Sequence, residues 1–123
     1  MIDILNFSLS PELVIASHIL LLAWFHFLGD FAFQIDDMAI NKSSSFKWLS
    51  IHVGVYSLPL IVFGWQFAVV NFVLHWITDA ITSRISGAYA KAGNIRMQFF
   101  TIGLDQAIHM TCLIGTYVLF FVV

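Results

Sequence analysis

The sequence predicts an all-α protein: a polytopic transmembrane four-helix bundle, formed as one domain over residues 1–123. Three observations lead there. Hydrophobic residues make up 60% of the chain and charged residues only 10%, against about 25% charged in soluble domains. The mean hydropathy is +0.92, and the apolar residues are spread along the whole length. That length suits about four spans of ~20 residues with short connections, and leaves no room for a separate soluble domain. Finally, all five basic residues fall at two polar connections.

The first span is expected over 13–34. Ser10 reads as its N-cap and Pro11 as its first helical residue. Met1-Ile2-Asp3 carries no basic stretch and Glu12 precedes the first apolar run, so a cleaved signal peptide is not expected. A polar connection follows, from Asp36-Asp37 through Lys42 to Ser45. The second span, 46–63, is short, and Pro59 is expected to kink it. Gly64-Trp65-Gln66 reads as a tight turn. The third span is expected over 66–84. A second polar connection runs from Ser86-Gly87 to Gly93-Asn94-Ile95-Arg96, and the fourth span over 98–122. The single cysteine, Cys112, excludes an intrachain disulfide.

Two spans plus re-entrant segments are the alternative to four, because the second span is short. Four spans put both polar connections on one side. Lys42, Lys47, Arg84, Lys91 and Arg96 lie there, and the opposite side holds only Asp3 and Glu12. The positive-inside rule then predicts an inner (cytoplasmic) membrane protein with cytoplasmic connections and both termini outside. Trp48, Trp65 and Tyr89 read as interface anchors.

Three histidine–aspartate pairs at i,i+4 spacing interrupt these apolar segments. They are His26 with Asp30, His75 with Asp79, and Asp105 with His109; His52 stands alone in the second span. An aspartate in a bilayer core costs about 2.5–3.5 kcal/mol on insertion scales, so something must compensate three of them. Residues four apart share a helix face, so each pair presents an imidazole and a carboxylate together. Counted from the expected span ends, all seven groups fall roughly 6–17 Å in from the basic side. Four helices thus deliver their polar groups to one layer, as bundles do when they build metal sites.

Neutral imidazole and carboxylate are common ligands of zinc, with manganese or iron as further candidates. His26, Asp30, His52, His75, Asp79, Asp105 and His109 are the candidate ligands or their immediate shell. Seven groups suit two ions sharing a carboxylate, or one ion with carboxylates orienting the histidines. One of Asp30, Asp79 and Asp105 would serve as general base. Gln34, Lys42 and Gln106 are candidate substrate-binding residues, Lys42 for a phosphate. His18 has no acidic partner and reads as an interhelical hydrogen-bonder, and Thr78, Thr82 and Ser83 as helix-packing residues.

The expected function is a metal-dependent hydrolase of a lipid or lipid-linked phosphoester. An ion or proton transporter subunit, a haem-binding redox subunit and a non-catalytic membrane interaction protein are the alternatives. The expected partners are membrane lipids and, for so small a bundle, a second copy of the chain, but not nucleic acid.

His26-Phe27-Leu28-Gly29-Asp30-Phe31-Ala32-Phe33-Gln34, Met38-Ala39, Lys42, His52 to Tyr56, His75-Trp76-Ile77-Thr78-Asp79 and Leu104-Asp105-Gln106 with His109 together resemble the domain of unknown function 3307 family. Its members are small membrane proteins of bacteria and their phages. The resemblance covers about residues 14–112 and implies a membrane location, but no activity. A weaker resemblance, in ligand spacing alone, is to membrane-bound metal-dependent hydrolases and the zinc-dependent phospholipase C/P1 nuclease type. The N-terminal Trp ligand and longer histidine series of the soluble enzymes are missing here.

Overall fold

The structure is a computed structural model and describes residues 9–123. Met1, Ile2, Asp3 and Asn6 lie outside the described residues. Among those described, every regular element is helical. Helix α1 (Pro11–Phe27) runs on as a π-helical turn over Leu28–Ala32. A short helix α2 (Asp36–Asn41) and then α3 (Phe46–Ser57) follow. α3 continues through a 3-10 turn, Pro59–Phe63, into α4 (Trp65–Lys91) and α5 (Ile95–Phe121).

The local chemistry explains most boundaries. The Ser10 hydroxyl accepts from the Leu13 amide at 3.4 Å with Pro11 next, as expected. Ser45 caps α3 through the Trp48 amide and Asn94 caps α5 through the Met97 amide. Pro59 has no amide to donate, and the chain tightens there into 3-10 turns rather than kinking a continuous helix. Trp65 is already helical, so the turn rests on Gly64 alone.

The second polar connection is much shorter than the sequence suggests. α4 passes through Ser86 and Gly87 and ends only at Lys91. Gly93, at φ +72°, then lets the Asn94 amide reach the Tyr89 carbonyl at 2.9 Å and the Gly93 amide reach that of Ala90 at 3.1 Å. These two bonds are a Schellman ending, and they stop the helix where Ser86-Gly87 does not. Arg84 therefore sits within α4, and Lys91 and Arg96 at helix ends, rather than in a loop.

Two helical stretches, Pro11–Ala32 and Ile95–Phe121, are long and apolar enough to cross a membrane, where the sequence suggested four. α3 falls short because it is broken at Pro59, and α4 because its buried face is polar. On α4, Asn71, His75, Asp79 and Thr82 are buried, whereas Trp65, Val69, Val73, Ile77, Ile81 and Ile85 are exposed at i,i+4 spacing. After Phe67 and Ala68, which pack into the apolar core, the helix is polar inside and apolar outside.

The antiparallel helices bring residues 43 and 87 together at one end. At the other, His18, Phe63, Tyr117 and Phe121 meet edge to face or tilted. Between that far end and the middle lies an apolar layer of Leu22, Leu60, Phe67 and Leu113, all fully buried. Asn71 and Thr116 exchange hydrogen bonds at 3.0 and 3.2 Å and join α4 to α5. His18 Nδ1 meets Tyr117 Oη at 2.8 Å, the interhelical role expected of it.

One close approach fixes how the first hairpin packs. A Cβ on Gly29 would lie 2.9 Å from the Tyr56 Cα. We expect Gly29→Ala to separate the π turn from α3 and to cost about 1–3 kcal/mol, as overpacking does. A lowered thermal unfolding midpoint in detergent would show it; an unchanged midpoint would contradict the packing.

Candidate metal centre

Each element delivers a defined part of a buried polar cluster. α1 supplies His26 and its π turn Asp30; α3 supplies His52; α4 supplies His75 and Asp79; α5 supplies Asp105, Gln106 and His109. All seven expected groups meet there. Six of them are buried, and Asp105 is partly exposed.

The tightest grouping is Asp30, His52, His75 and Asp79. Asp30 Oδ1 lies 3.0 Å from His52 Nε2 and 3.4 Å from His75 Nε2. Asp79 Oδ2 lies 3.3 and 3.5 Å from the same two nitrogens. Four donors at 2.0–2.1 Å from a tetrahedral ion stand about 3.3 Å apart. Two further groupings overlap this one: Asp79 with Asp105 and His109, and His26 with Asp30 and His109, each within 4.8 Å. His109 Nε2 is 3.3 Å from Asp79 Oδ1, and its Nδ1 is 3.4 Å from Asp105 Oδ2. The His75 and His109 rings stack at 3.8 Å and 8°.

Hydrogen bonds within the protein leave this cluster short of partners. Both ring nitrogens of His75 and of His109 are buried without one. His75 Nε2 and both nitrogens of His109 lie within reach of carboxylates but off the hydrogen-bond line. Each unsatisfied buried group costs about 1–3 kcal/mol. Unpaired imidazole lone pairs beside carboxylates are what a divalent cation takes, so the donor set fits one.

Gln106 organises the opposite flank. Its amide nitrogen donates to Asp30 Oδ2 at 2.8 Å and Asp105 Oδ2 at 3.0 Å. Its carbonyl oxygen therefore faces His26 Nε2, at 2.7 Å, and fixes the His26 proton on that nitrogen. His26 Nδ1 is left buried and unpaired. The Thr82 hydroxyl donates to Asp105 Oδ1.

A cavity of about 320 Å³ opens from the cluster towards the end that carries the basic residues. Asp30, Asp79, Asp105, Gln106, Lys42 and Gln34 line it, and the four clustered histidines stand behind the carboxylates. Lys42 Nζ lies 3.5 Å from Asp79 Oδ2. Gln34 Oε1 is buried there with no partner. Arg84 does not face the cavity: it donates to the Ala80 carbonyl at 2.7 Å and lies 4.5 Å over the Phe46 ring. Arg96 is exposed and does not line it either.

Three contributors escape a reading of the sequence. Thr82, expected only to pack, holds Asp105. The Tyr56 ring lies 3.9 Å from that of His75 and wedges against His26. Asn71 lies one turn before His75 on the same buried stripe. The signal for each was its i,i+3 or i,i+4 spacing from a histidine or aspartate already singled out.

A family model described as protein of unknown function (DUF3307) matches residues 17–123. The chain belongs to that family. The match runs to the C-terminus, further than the motifs alone, and takes in all seven clustered residues. No curated protein and no solved structure matches. For this DUF3307 protein the likeness to metal-dependent hydrolases therefore rests on ligand spacing alone.

The donor set carries its own test. A divalent ion at about 100 times its dissociation constant should stabilise the fold by about 2.7 kcal/mol. That is a rise of several degrees in the unfolding midpoint, reversed by chelator. Asp79→Ala should remove the rise and cost about 3–5 kcal/mol by leaving its partners uncompensated. An unfolding midpoint that ignores every divalent ion would rule the site out.

Proposed function

We propose that this DUF3307 protein spans the inner membrane four times and is a metal-dependent hydrolase. Its substrate would be the phosphoester of a lipid or lipid-linked molecule, reached from the cytoplasmic leaflet. The observation that carries this reading is a His/Asp donor set, its histidine–carboxylate pairs 3.0–3.5 Å apart, at the floor of a cavity that also holds Lys42.

The membrane part rests on α4 as much as on the two long apolar helices. A helix with Asp79 and His75 buried and six large apolar residues exposed suits lipid better than water. Lys42, Lys47, Arg84, Lys91 and Arg96 all lie towards the end where the cavity opens, which favours a cytoplasmic mouth. With Cys112→Ser as background, a cysteine at Leu9 should label only from outside and one at Ala92 only from the cytoplasm. The reverse pattern would invert the topology.

A bound divalent ion would lower the pKa of a water to about 7 and polarise the phosphoryl oxygen. The chain's own residues supply the rest. Lys42 would neutralise a phosphate oxygen at the mouth. Asp105 is the most exposed of the three carboxylates, and Thr82 and Gln106 hold it in place. It would take a proton from the water as the new P–O bond forms, and hand that proton to the leaving alkoxide as the ester P–O bond breaks. Gln34 would donate its amide hydrogens to the headgroup. The carboxylates face the cavity and the histidines do not, which favours Asp105 over a histidine as base.

The buried apolar layer weighs against a transport path, since a continuous path needs polar lining on both sides. The histidines stand among three carboxylates, which weighs against haem.

Incubating metal-loaded protein in anionic nanodiscs and following phospholipids and polyprenyl phosphates by mass spectrometry tests the activity. Chelator should abolish hydrolysis, and Asp105→Asn should slow it about 10²–10⁴-fold, the usual loss of a general base. If fully metallated protein leaves every lipid unchanged yet conducts ions in liposomes, transport replaces hydrolysis.

A further inference from the structure

We infer that the centre takes two divalent ions in two unequal positions, bridged by Asp79. The inference rests on the metal reading above and goes beyond it in number, ligand assignment and division of labour.

The three overlapping donor groupings cannot all be filled. The grouping of Asp79, Asp105 and His109 and that of His26, Asp30 and His109 both need His109. An imidazole with one lone pair serves one ion, so these two exclude each other. The grouping of Asp30, His52, His75 and Asp79 shares only carboxylates with them, and a carboxylate has an oxygen for each of two ions. Asp79 is already split this way. Its Oδ2 faces His52 and His75 at 3.3 and 3.5 Å, and its Oδ1 faces His109 Nε2 at 3.3 Å. The count is therefore two.

The geometry also selects the second ligand set. His26 Nε2 is held by Gln106, and His26 does not face the cavity. Asp79 and Asp105 do. The second ion therefore takes Asp79, Asp105 and His109, with Asp105 binding through one oxygen and keeping the other for the proton transfer proposed above. The two positions differ in openness. The first has four protein ligands, the closed arrangement of a structural site. The second has three and borders the cavity, the open arrangement that leaves a place for water or substrate. Ions sharing a carboxylate sit about 3.5–4 Å apart in two-metal hydrolytic sites.

Charge gives an independent argument. With neutral imidazoles, Asp30, Asp79 and Asp105 against Lys42 leave the cluster at −2. One divalent ion makes it neutral, with no pull on an anion. A second makes it +2, which matches a phosphate monoester dianion. An anionic substrate and a single ion are a poor match in this cluster; an anionic substrate and two ions are a good one.

The test uses the full chain in detergent, loaded with Mn²⁺, with metal content and electron paramagnetic resonance as readouts. The wild type should bind two equivalents per chain and give the spectrum of a spin-coupled pair. Asp105→Asn keeps the side-chain shape and should reduce this to one equivalent with an uncoupled signal. His52→Ala strips the four-ligand position and should also lose the coupling. One equivalent in the wild type, or two that stay uncoupled, would overturn the inference. With one equivalent and chelator-sensitive hydrolysis, the hydrolase reading survives and only the two-ion assignment falls. With no bound metal, both fall.

Discussion

Everything in this molecule is arranged around the difficulty of keeping three carboxylates inside an apolar bundle. Asp30, Asp79 and Asp105 come from three helical segments, and among the described residues only Lys42 offers them a fixed positive charge. The remaining neighbours are imidazoles and the Gln106 amide, which soften the repulsion without cancelling it. Desolvated charges are costly unless paired and hydrogen-bonded. The histidines on all four long helical segments therefore face one point, and the apolar side chains are left to face outward.

The π turn over Leu28–Ala32 belongs to the same arrangement. It carries Gly29 and Asp30, so the tight contact of Gly29 with Tyr56 also places the Asp30 carboxylate. Tyr56 in turn packs its ring, tilted by 38°, against that of His75 and meets His26 edge to face. π turns are uncommon and concentrate at functional sites. Here the widened turn sits where the chain leaves α1 and where the cavity begins.

The cluster was legible in the sequence because its charged members recur at a helical period inside apolar segments. His26, Asp30, His75, Asp79, Asp105 and His109 stand out by cost alone, and His52 by its setting. Thr82 and Asn71 did not stand out, because a lone neutral polar residue in a helix is commonplace and its partner lies on another helix. The all-α class and the Ser10 cap were equally readable. The end of α4 was not. Ser86-Gly87 looks like a break, but the Schellman bonds that end the helix depend on the backbone sign at Gly93. Arg84 was misread for a related reason: with the helix continuing past it, its guanidinium turns back onto Phe46 and the Ala80 carbonyl.

The fully buried layer of Leu22, Leu60, Phe67 and Leu113 also has an electrical meaning. In the proposed orientation it is an insulator, and the aqueous cleft on its other side is a conductor. The transmembrane voltage then drops mainly across the apolar layer, and each elementary charge crossing the whole drop is worth about 2.3 kcal/mol per 100 mV. A cation arriving through the cleft would traverse only a small part of that drop. In that orientation the cluster would hold and exchange charge in an energised membrane without becoming a leak, and its occupancy would be largely shielded from the membrane potential.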